Sequence, residues 1–220
     1  MEKENINLNK YKSIKVSLYE DWKLGNITEE EYKNYSIEYT DKINNIIKNI
    51  DYISEKINNI KRLVEIDKNE VLRYLQYKNQ EIKSDLLDII DQSIEETKKI
   101  INPRFMMRKY SIKKKKLFDK KSQVILEGTN LILESNDVYD LLLECDECIL
   151  IAATLGLEIE KEIRKLTYTD LTKGVIIDSC ATTAIEEVCD ILQDDIAKKL
   201  LKEDKYITYR YSPGYGDLSV

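Results

Sequence analysis

The residue types best suited to chemistry stand together near the C-terminal end of this 220-residue chain, in the run Arg210-Tyr211-Ser212-Pro213-Gly214-Tyr215-Gly216-Asp217. Arg210 carries a planar guanidinium that suits a carboxylate or a phosphate. Pro213 fixes its own φ, while Gly214 and Gly216 permit positive φ and close approach of the backbone. Such a turn can aim backbone N–H groups at a ligand, and Tyr215 adds a flat ring and a hydroxyl. On spacing alone, a tight turn that carries a surface arginine is the simpler interpretation.

Two elements lead into this turn. The short run Lys205–Tyr209 has the composition of a β-strand, and a long helix is predicted over Leu171–Leu201. One face of that helix is apolar and rich in small residues, which favours close packing against a sheet. Another face carries a polar stripe formed by Ser179, Thr183, Glu186 and Asp190. A polar stripe most often faces water.

Composition excludes several classes of protein. The net charge of −6 and the pI near 5.1 argue against a general nucleic-acid binder. No positively charged start leads into an apolar region, so no signal peptide is predicted. The longest apolar run, Ile149–Ala153, is too short to cross a membrane. We therefore expect a cytoplasmic protein with no membrane partner and no nucleic-acid partner.

The chain has no histidine and four cysteines. The absence of histidine removes histidine-based catalytic triads and the usual zinc-protease motifs. Cys145 and Cys148 form a CxxC pair, but Cys180 and Cys189 are nine residues apart and would face opposite sides of a helix. We therefore expect free, reduced cysteines and no metal site, and we assign no catalytic residue.

Residues 1–65 predict a helical hairpin. Gly25 suits the end of the first helix, and the segment from Thr28 to Glu31 has the pattern of a capping box that begins the second. The second helix carries an apolar seam with alternating steps of three and four: Ile43, Ile46, Ile50, Ile53, Ile57, Ile60 and Val64. This spacing is typical of a coiled coil, and the same seam could also pair two copies of the chain.

Residues 66–220 predict a second domain of mixed helices and strands. Asp67–Glu70 has the pattern of another capping box, and helices are predicted over Val71–Leu75 and from Gln80 to Ile101. A hairpin is expected where Val124–Leu126 and Leu131–Leu133 flank a turn that contains glycine.

Two more strands and a basic loop complete this prediction. Phe105–Ile112 alternates as a strand does, and Cys148–Ala153 is apolar enough to be buried on both faces. Lys113–Lys116 predicts a solvated loop rather than an RNA site, because the basic run is short and isolated. The fold class expected overall is α+β, an N-terminal helical hairpin followed by a twisted, mainly antiparallel sheet with packed helices.

The C-terminal run resembles the S-adenosylmethionine-binding loop in the activation domain of cobalamin-dependent methionine synthase, and is most similar to the free-standing proteins of that family. Three further stretches fit the same family in the same order, so that the resemblance covers about residues 66–220. They are Val71–Lys78, Ile151–Gly156 and Ala184–Asp190.

The resemblance implies a ligand, S-adenosylmethionine, and a role for each matched residue. Arg210 would bind the carboxylate of the ligand and Glu186 its ammonium group, while Asp217 would add negative charge near the sulfonium. The adenosine and ribose would contact Ser212, Gly214, Tyr215 and Gly216. The family uses S-adenosylmethionine to remethylate cobalamin reductively.

The resemblance also implies partners. This chain shows no cobalamin-binding segment, so cobalamin would arrive on a partner methionine synthase, and a flavodoxin-like one-electron donor would supply the reducing electron. Family members continue beyond the matched loop, so a C-terminally truncated activation domain is expected.

The start of the chain resembles a different family. Leu18–Tyr32 is similar to the late helical segment of large serine recombinases, but the recombinase catalytic domain and zinc cysteines are absent from the sequence. A coiled-coil appendage is the simpler interpretation of this hairpin. The alternative for the whole chain is a non-enzymatic helical interaction protein whose C-terminal half is inactive.

Overall fold

The computed structural model describes residues 2–77 and 82–220, and it divides the chain into two compact units, Met1–Leu63 and Val64–Val220. The first unit is a long helical pair, and the second combines an antiparallel sheet with packed helices, which confirms the α+β class. The predicted helix start at Gln80, and the last residue of the Val71–Lys78 stretch, lie outside the described residues. No helix in these ranges is long and apolar enough to cross a membrane.

The first unit consists of α1 (Glu2–Lys23) and α2 (Glu29–Leu63), which pack side by side. Gly25 has a φ of +79° just beyond the end of α1. Thr28 and Glu31 form the reciprocal capping box, because the Glu31 N–H donates to the Thr28 hydroxyl and the Thr28 N–H donates to the Glu31 carboxylate. The rings of Trp22 and Tyr32 stack with centroids 4.9 Å apart and join the two helices near the turn.

The described part of the second unit contains a four-stranded sheet with the order β3-β2-β1-β4, antiparallel throughout. Its strands are β1 (Arg104–Lys115), β2 (Gln123–Leu126), β3 (Ile132–Glu134) and β4 (Glu147–Thr154). The hairpin β2–β3 lies where the sequence predicts it. The long strand β1 is central: Arg104–Ser111 pair with β4 and Ile112–Lys115 pair with β2.

Two strand predictions were wrong in extent or environment. β1 continues to Lys115, so the basic run is mostly strand rather than loop, because Lys113–Lys115 pair with β2. β4 is not buried on both faces: it is an edge strand in the described sheet, and Ala152 and Thr154 are exposed. An apolar run of this length does not reveal whether a strand lies at the centre or at the edge of a sheet.

Helices cover the sheet and supply most of the core. They are α3 (Lys68–Tyr74), α4 (Ser84–Ile100), α5 (Asn136–Leu141), α6 (Leu157–Thr169) and α7 (Leu171–Leu200). The longest, α7, packs against α3, α4, α6 and β4. Its buried side contains small residues such as Cys180 and Ala184 together with Val188 and Leu192, all fully buried. This is the close-packing stripe that the sequence predicts.

A smaller apolar cluster lies beneath the other end of the sheet and includes the end of the chain. Ile112, Val124, Leu126, Val138 and Leu218 are its buried members. Leu218 therefore anchors the otherwise irregular residues 204–220 to the strands and to α5. The prediction of a strand at Lys205–Tyr209 is wrong, because this segment pairs with no strand of the described sheet. It runs back alongside α7 instead.

Candidate functional site

The chain reverses direction after α7 and brings Arg210 back along that helix. A single 3₁₀ turn, Leu201–Glu203, is followed by Asp204 in the left-handed conformation with a φ of 55°. The Lys205 N–H then donates to the Leu200 carbonyl at 3.0 Å. Five extended residues and ten helical residues both span about 15–17 Å. Arg210 therefore lies beside the part of α7 that contains residue 190.

Arg210 makes an ion-pair cluster with one face of α7. Its Nη1 lies 2.5 Å from Asp190 Oδ1 and 3.4 Å from Gln193 Oε1, and its Nη2 lies 3.1 Å from Glu186 Oε2. Positions 186, 190 and 193 are four and three residues apart, so they share one helix face. The Arg210 side chain is 28% exposed, whereas Glu186 and Asp190 are 51% and 62% exposed. The cluster is thus open to solvent on its acidic side.

The surroundings of Arg210 are negatively charged. Partial burial opposes the charge of Arg210, but hydrogen bonding to Asp190 and the nearby carboxylates outweigh it and raise the pKa of the guanidinium. Burial, followed by the charges of Asp190, Glu65 and Asp194, raises the pKa of Glu187. Burial also raises the pKa of the Cys189 thiol, while Arg210 acts in the opposite direction. One guanidinium therefore stands among several carboxylates, so the local charge is net negative.

The glycine-containing run beyond Arg210 folds into two consecutive turns, which we call the double turn (Ser212–Leu218). The Tyr215 N–H donates to the Ser212 carbonyl at 3.2 Å, and the Leu218 N–H donates to the Tyr215 carbonyl at 3.1 Å. In the first turn Pro213 and Gly214 occupy the central positions, and Gly214 has a φ of 90°, as a type II turn requires. The Gly214 N–H closes the loop by donating to the Leu218 carbonyl at 2.8 Å.

The double turn is fixed to the start of α5. The Asp217 carboxylate accepts hydrogen bonds from the Ser135 hydroxyl and from the Asn136 N–H, the latter at 2.8 Å. The Asp137 carboxylate accepts from the Tyr211 hydroxyl at 2.8 Å and from the Asp217 N–H at 3.2 Å. Asp217 thus acts as a cap for α5 rather than as a free charge beside a ligand, the role that the resemblance implies.

These contacts shift the pKa values of two groups. The Ser135 hydroxyl, followed by the Asn136 and Asp137 N–H groups, lowers the pKa of Asp217. Desolvation and the Asp137 carboxylate raise the pKa of Tyr211 to about 12. Asp217 therefore stays ionised, and Tyr211 stays a hydrogen-bond donor, across the neutral range.

The structure divides the six predicted site residues into two groups. Arg210 and Glu186 meet in the ion-pair cluster, where they contact each other. Ser212, Gly214, Tyr215 and Gly216 lie in the double turn, and the described contacts include no hydrogen bond or ion pair between the two groups. The N–H groups of Gly214 and Tyr215 are already bonded within the loop, so they do not point to a ligand. The exposed Tyr215 ring, at 64%, remains open to contact.

Sequence reasoning did not include Asp190 or Gln193 among the site residues. Asp190 belongs to the predicted polar stripe, and its spacing of four from Glu186 is the signal that places both on one helix face. The sequence does not single out Asp190, because the one ammonium group of the implied ligand calls for only one carboxylate. The anchors of the double turn, Ser135 and Asp137, were also missed, since nothing in the local sequence links them to a segment about 80 residues away.

Two surface cavities accompany these features. One of about 350 Å³ is formed by the double turn together with Lys121, whose ammonium donates to the Asp217 carbonyl. The other, of about 220 Å³, lies between the end of β4, α6 and α7 and includes Glu160 and Asp178. Neither cavity is lined by Arg210 or Glu186. In the described ranges, no group of three metal-ligating side chains comes close enough to hold a metal ion.

Comparison with models of known protein families finds no match to this chain, and comparison with curated proteins finds none either.

Proposed function

We propose that this chain binds S-adenosylmethionine at the Arg210 cluster and supports reductive remethylation of cobalamin on a partner methionine synthase. The resemblance of four sequence stretches to the activation domain of that synthase motivates the proposal. The observation that carries it is the contact of Arg210 with Glu186 and Asp190. Arg210 lies 20 positions from Asp190 and 24 from Glu186, and the cluster combines a fork for a carboxylate with two acceptors for a cation.

The charges of the cluster fit this ligand. S-adenosylmethionine carries a carboxylate, an ammonium and a sulfonium, and so has one net positive charge. Arg210 with Glu186 and Asp190 has one net negative charge. A bidentate guanidinium–carboxylate pair is among the strongest hydrogen-bonded contacts available to a side chain, so Arg210 would hold the ligand carboxylate. Glu186 would accept from the ammonium group.

The remaining contacts belong to the double turn. The exposed Tyr215 ring provides a flat, partly apolar surface for the sugar or the sulfonium. The Ser212 carbonyl accepts one hydrogen bond within the loop and retains a second lone pair that can accept from a ligand hydroxyl, whereas the Tyr215 carbonyl already accepts from the Leu218 N–H and the Tyr211 hydroxyl. When bound, S-adenosylmethionine supplies an electrophilic methyl group, and the task of this chain is to hold and orient it.

The other participants would be supplied by partners. The chain has no histidine to coordinate cobalt, so cobalamin would be brought by the synthase, and a flavodoxin-like donor would provide the electron. We place this assembly in the cytoplasm as part of the same proposal.

Titration calorimetry with S-adenosylmethionine tests the proposal. Arg210→Ala should lower the affinity on the order of tenfold to a hundredfold, because a charge-assisted hydrogen bond contributes about 1.5–3 kcal/mol. Arg210→Lys should recover part of this loss, since an ammonium keeps the charge but not the fork. Glu186→Gln should weaken binding less, because its amide oxygen still accepts a hydrogen bond.

Arg164→Ala is the matched control, because Arg164 is an exposed arginine on α6 with no ion pair among the described residues. It should bind as the wild type does. Equal binding by Arg210→Ala and the wild type would show that the site is elsewhere.

A second candidate is a helical interaction protein without this activity. It is favoured by α2, which has 35 residues against 22 in α1 and exposes Ile37 and Ile47. Under this hypothesis the wild type does not bind S-adenosylmethionine. Substitution of Ile37 and Ile47 by Lys would then lower self-association measured by analytical ultracentrifugation.

A further inference from the structure

The guanidinium of Arg210 is already occupied by carboxylates of the same chain. Asp190 takes Nη1 at 2.5 Å, and Glu186 takes Nη2 at 3.1 Å. A ligand carboxylate that binds across Nη1 and Nη2 must therefore replace one of the acceptors on these two nitrogens. The two acceptors differ in exposure, since the Asp190 side chain is 62% exposed and that of Glu186 is 51% exposed.

We propose that Asp190 is an internal substitute for the ligand's carboxylate, which holds the fork of Arg210 in the free protein and is displaced on binding. The inference rests on the proposed function of the Arg210 cluster. Asp190 is the group to leave because its exposed carboxylate is rehydrated at little cost, and an exposed ion pair contributes little to stability. Glu186 remains on Nη2 and Gln193 stays within 3.4 Å of Nη1, so the guanidinium keeps its orientation during the exchange.

After displacement, Asp190 stays on the same helix face and still contributes negative charge. It then acts with Glu186 on the positive groups of the ligand. Asp190 thus lowers the affinity for ligands that have a carboxylate but no additional positive charge. It lowers the affinity less for ligands that have both a carboxylate and an additional positive charge. The ligand class that this arrangement selects is an α-amino acid with an additional cation, and S-adenosylmethionine belongs to that class whereas S-adenosylhomocysteine does not.

Asp190→Asn separates these effects in calorimetric titrations with three ligands. The variant should bind S-adenosylhomocysteine about two- to fivefold more tightly than the wild type, because the internal competitor is weakened. The gain for S-adenosylmethionine should be smaller, since the substitution also removes a negative charge near the sulfonium. Methylthioadenosine, which lacks both the carboxylate and the ammonium, should bind equally to both proteins.

Asp194→Asn is the matched control. Asp194 lies one helical turn further along α7 and makes no hydrogen bond or ion pair with Arg210 among the described contacts. The control removes the same charge without freeing the fork, so it should leave the affinity for S-adenosylhomocysteine unchanged. Thermal melts of both variants verify that they are folded.

The outcomes distinguish this inference from the function on which it rests. If the wild type binds and Asp190→Asn binds S-adenosylhomocysteine no more tightly, or if Asp194→Asn has the same effect, the competitor role is wrong and the ligand site stands. If binding is detected only in Asp190→Asn, the role of Asp190 is supported. If no protein binds any of the amino-acid ligands, the proposed function fails and the inference fails with it.

Discussion

Arg210 and Tyr211 are neighbours in the chain, but their side chains are held by different helices. Arg210 pairs with carboxylates of α7, and the Tyr211 hydroxyl donates to Asp137 of α5. Because these two side chains contact different helices, they hold the backbone just before the double turn on two sides. The position of the double turn therefore depends on a few side chains rather than on a ladder of backbone hydrogen bonds.

Gly216 is the residue whose replacement should disturb this arrangement most. A Cβ at this position would lie 2.0 Å from Tyr211 Oη and 2.1 Å from Asp137 Oδ2, and the φ of +49° strains any other residue. Gly216→Ala should therefore lower the free energy of unfolding, measured by urea denaturation, clearly more than backbone strain alone, which costs about 1 kcal/mol. Gly128→Ala is the control, because Gly128 has a φ of +75° and open space around its Cα. Similar losses in the two variants would mean that Tyr211 and Asp137 can separate freely.

At the scale of elements, the basic run of β1 has structural roles. The Lys114 ammonium donates to the Leu143 and Cys145 carbonyls at 2.7 Å each and to the Leu142 carbonyl at 3.3 Å. These carbonyls lie at and beyond the end of α5, where the helix leaves acceptors without partners. Lys113 pairs with Glu127 at 2.5 Å. The run is thus engaged with its own fold rather than offered as one basic surface.

Lys114→Met tests this role. The variant should lose about 1–2 kcal/mol of unfolding free energy in urea denaturation, because three carbonyls lose a charged donor. Lys115→Met removes the same charge from the next position, where the side chain is exposed and has no described partner. It should be close to neutral. An equal loss in both variants would show that net charge, rather than the cap on α5, is responsible.

At the scale of the whole molecule, the two compact units meet in sequence between Leu63 and Val64. Val64 and Ile66 belong to the second unit and are 4% and 6% exposed. Asp67 caps the start of α3, and its capping-box pattern predicts where the second domain begins. Val64 and Ile66 lie before this cap. The domain core therefore starts before its first helix.

A fragment of residues 64–220 should unfold cooperatively in a thermal melt, because the second unit has its own core. A fragment of residues 67–220 lacks Val64 and Ile66, and it should be less stable by about 2 kcal/mol or more, since burial of one aliphatic side chain contributes about 1.5–3 kcal/mol. Equal stability of the two fragments would show that neither residue contributes to the isolated core. Aggregation of both, with the full chain folded, would contradict an independent second unit.

The sequence predicted what depends on local patterns. The capping box at Thr28, the helix stop at Gly25 and the β2–β3 hairpin are all encoded by neighbouring residues, and all three are present. Prediction from the sequence failed where contacts between distant segments determine the structure. The edge position of β4 depends on strand order, and the path of Lys205–Tyr209 depends on the reversal at Asp204.

The candidate site follows the same rule. The resemblance assigns Arg210 and Glu186 to two groups of one ligand, but it does not predict that the two side chains pair with each other. The occupation of the fork by Asp190 was not predictable either, because it requires the path of the chain between α7 and the double turn. The sequence does not predict that Asp217 caps α5, because its partners at the start of α5 lie about 80 residues earlier.

The short helix α5 is held at both ends by distant residues, with Asp217 at its start and Lys114 beyond its end. Six residues are too few for a helix to persist alone in water. Its stability therefore depends on contacts with the rest of the fold, and those with Asp217 require a loop of about 80 residues to close, a step that closure entropy opposes. We therefore expect α5 to be completed late in folding, together with the docking of the segment that carries Arg210. A factor that pulled this segment away would unwind the helix as well, so the order of α5 would report on whether the segment is docked.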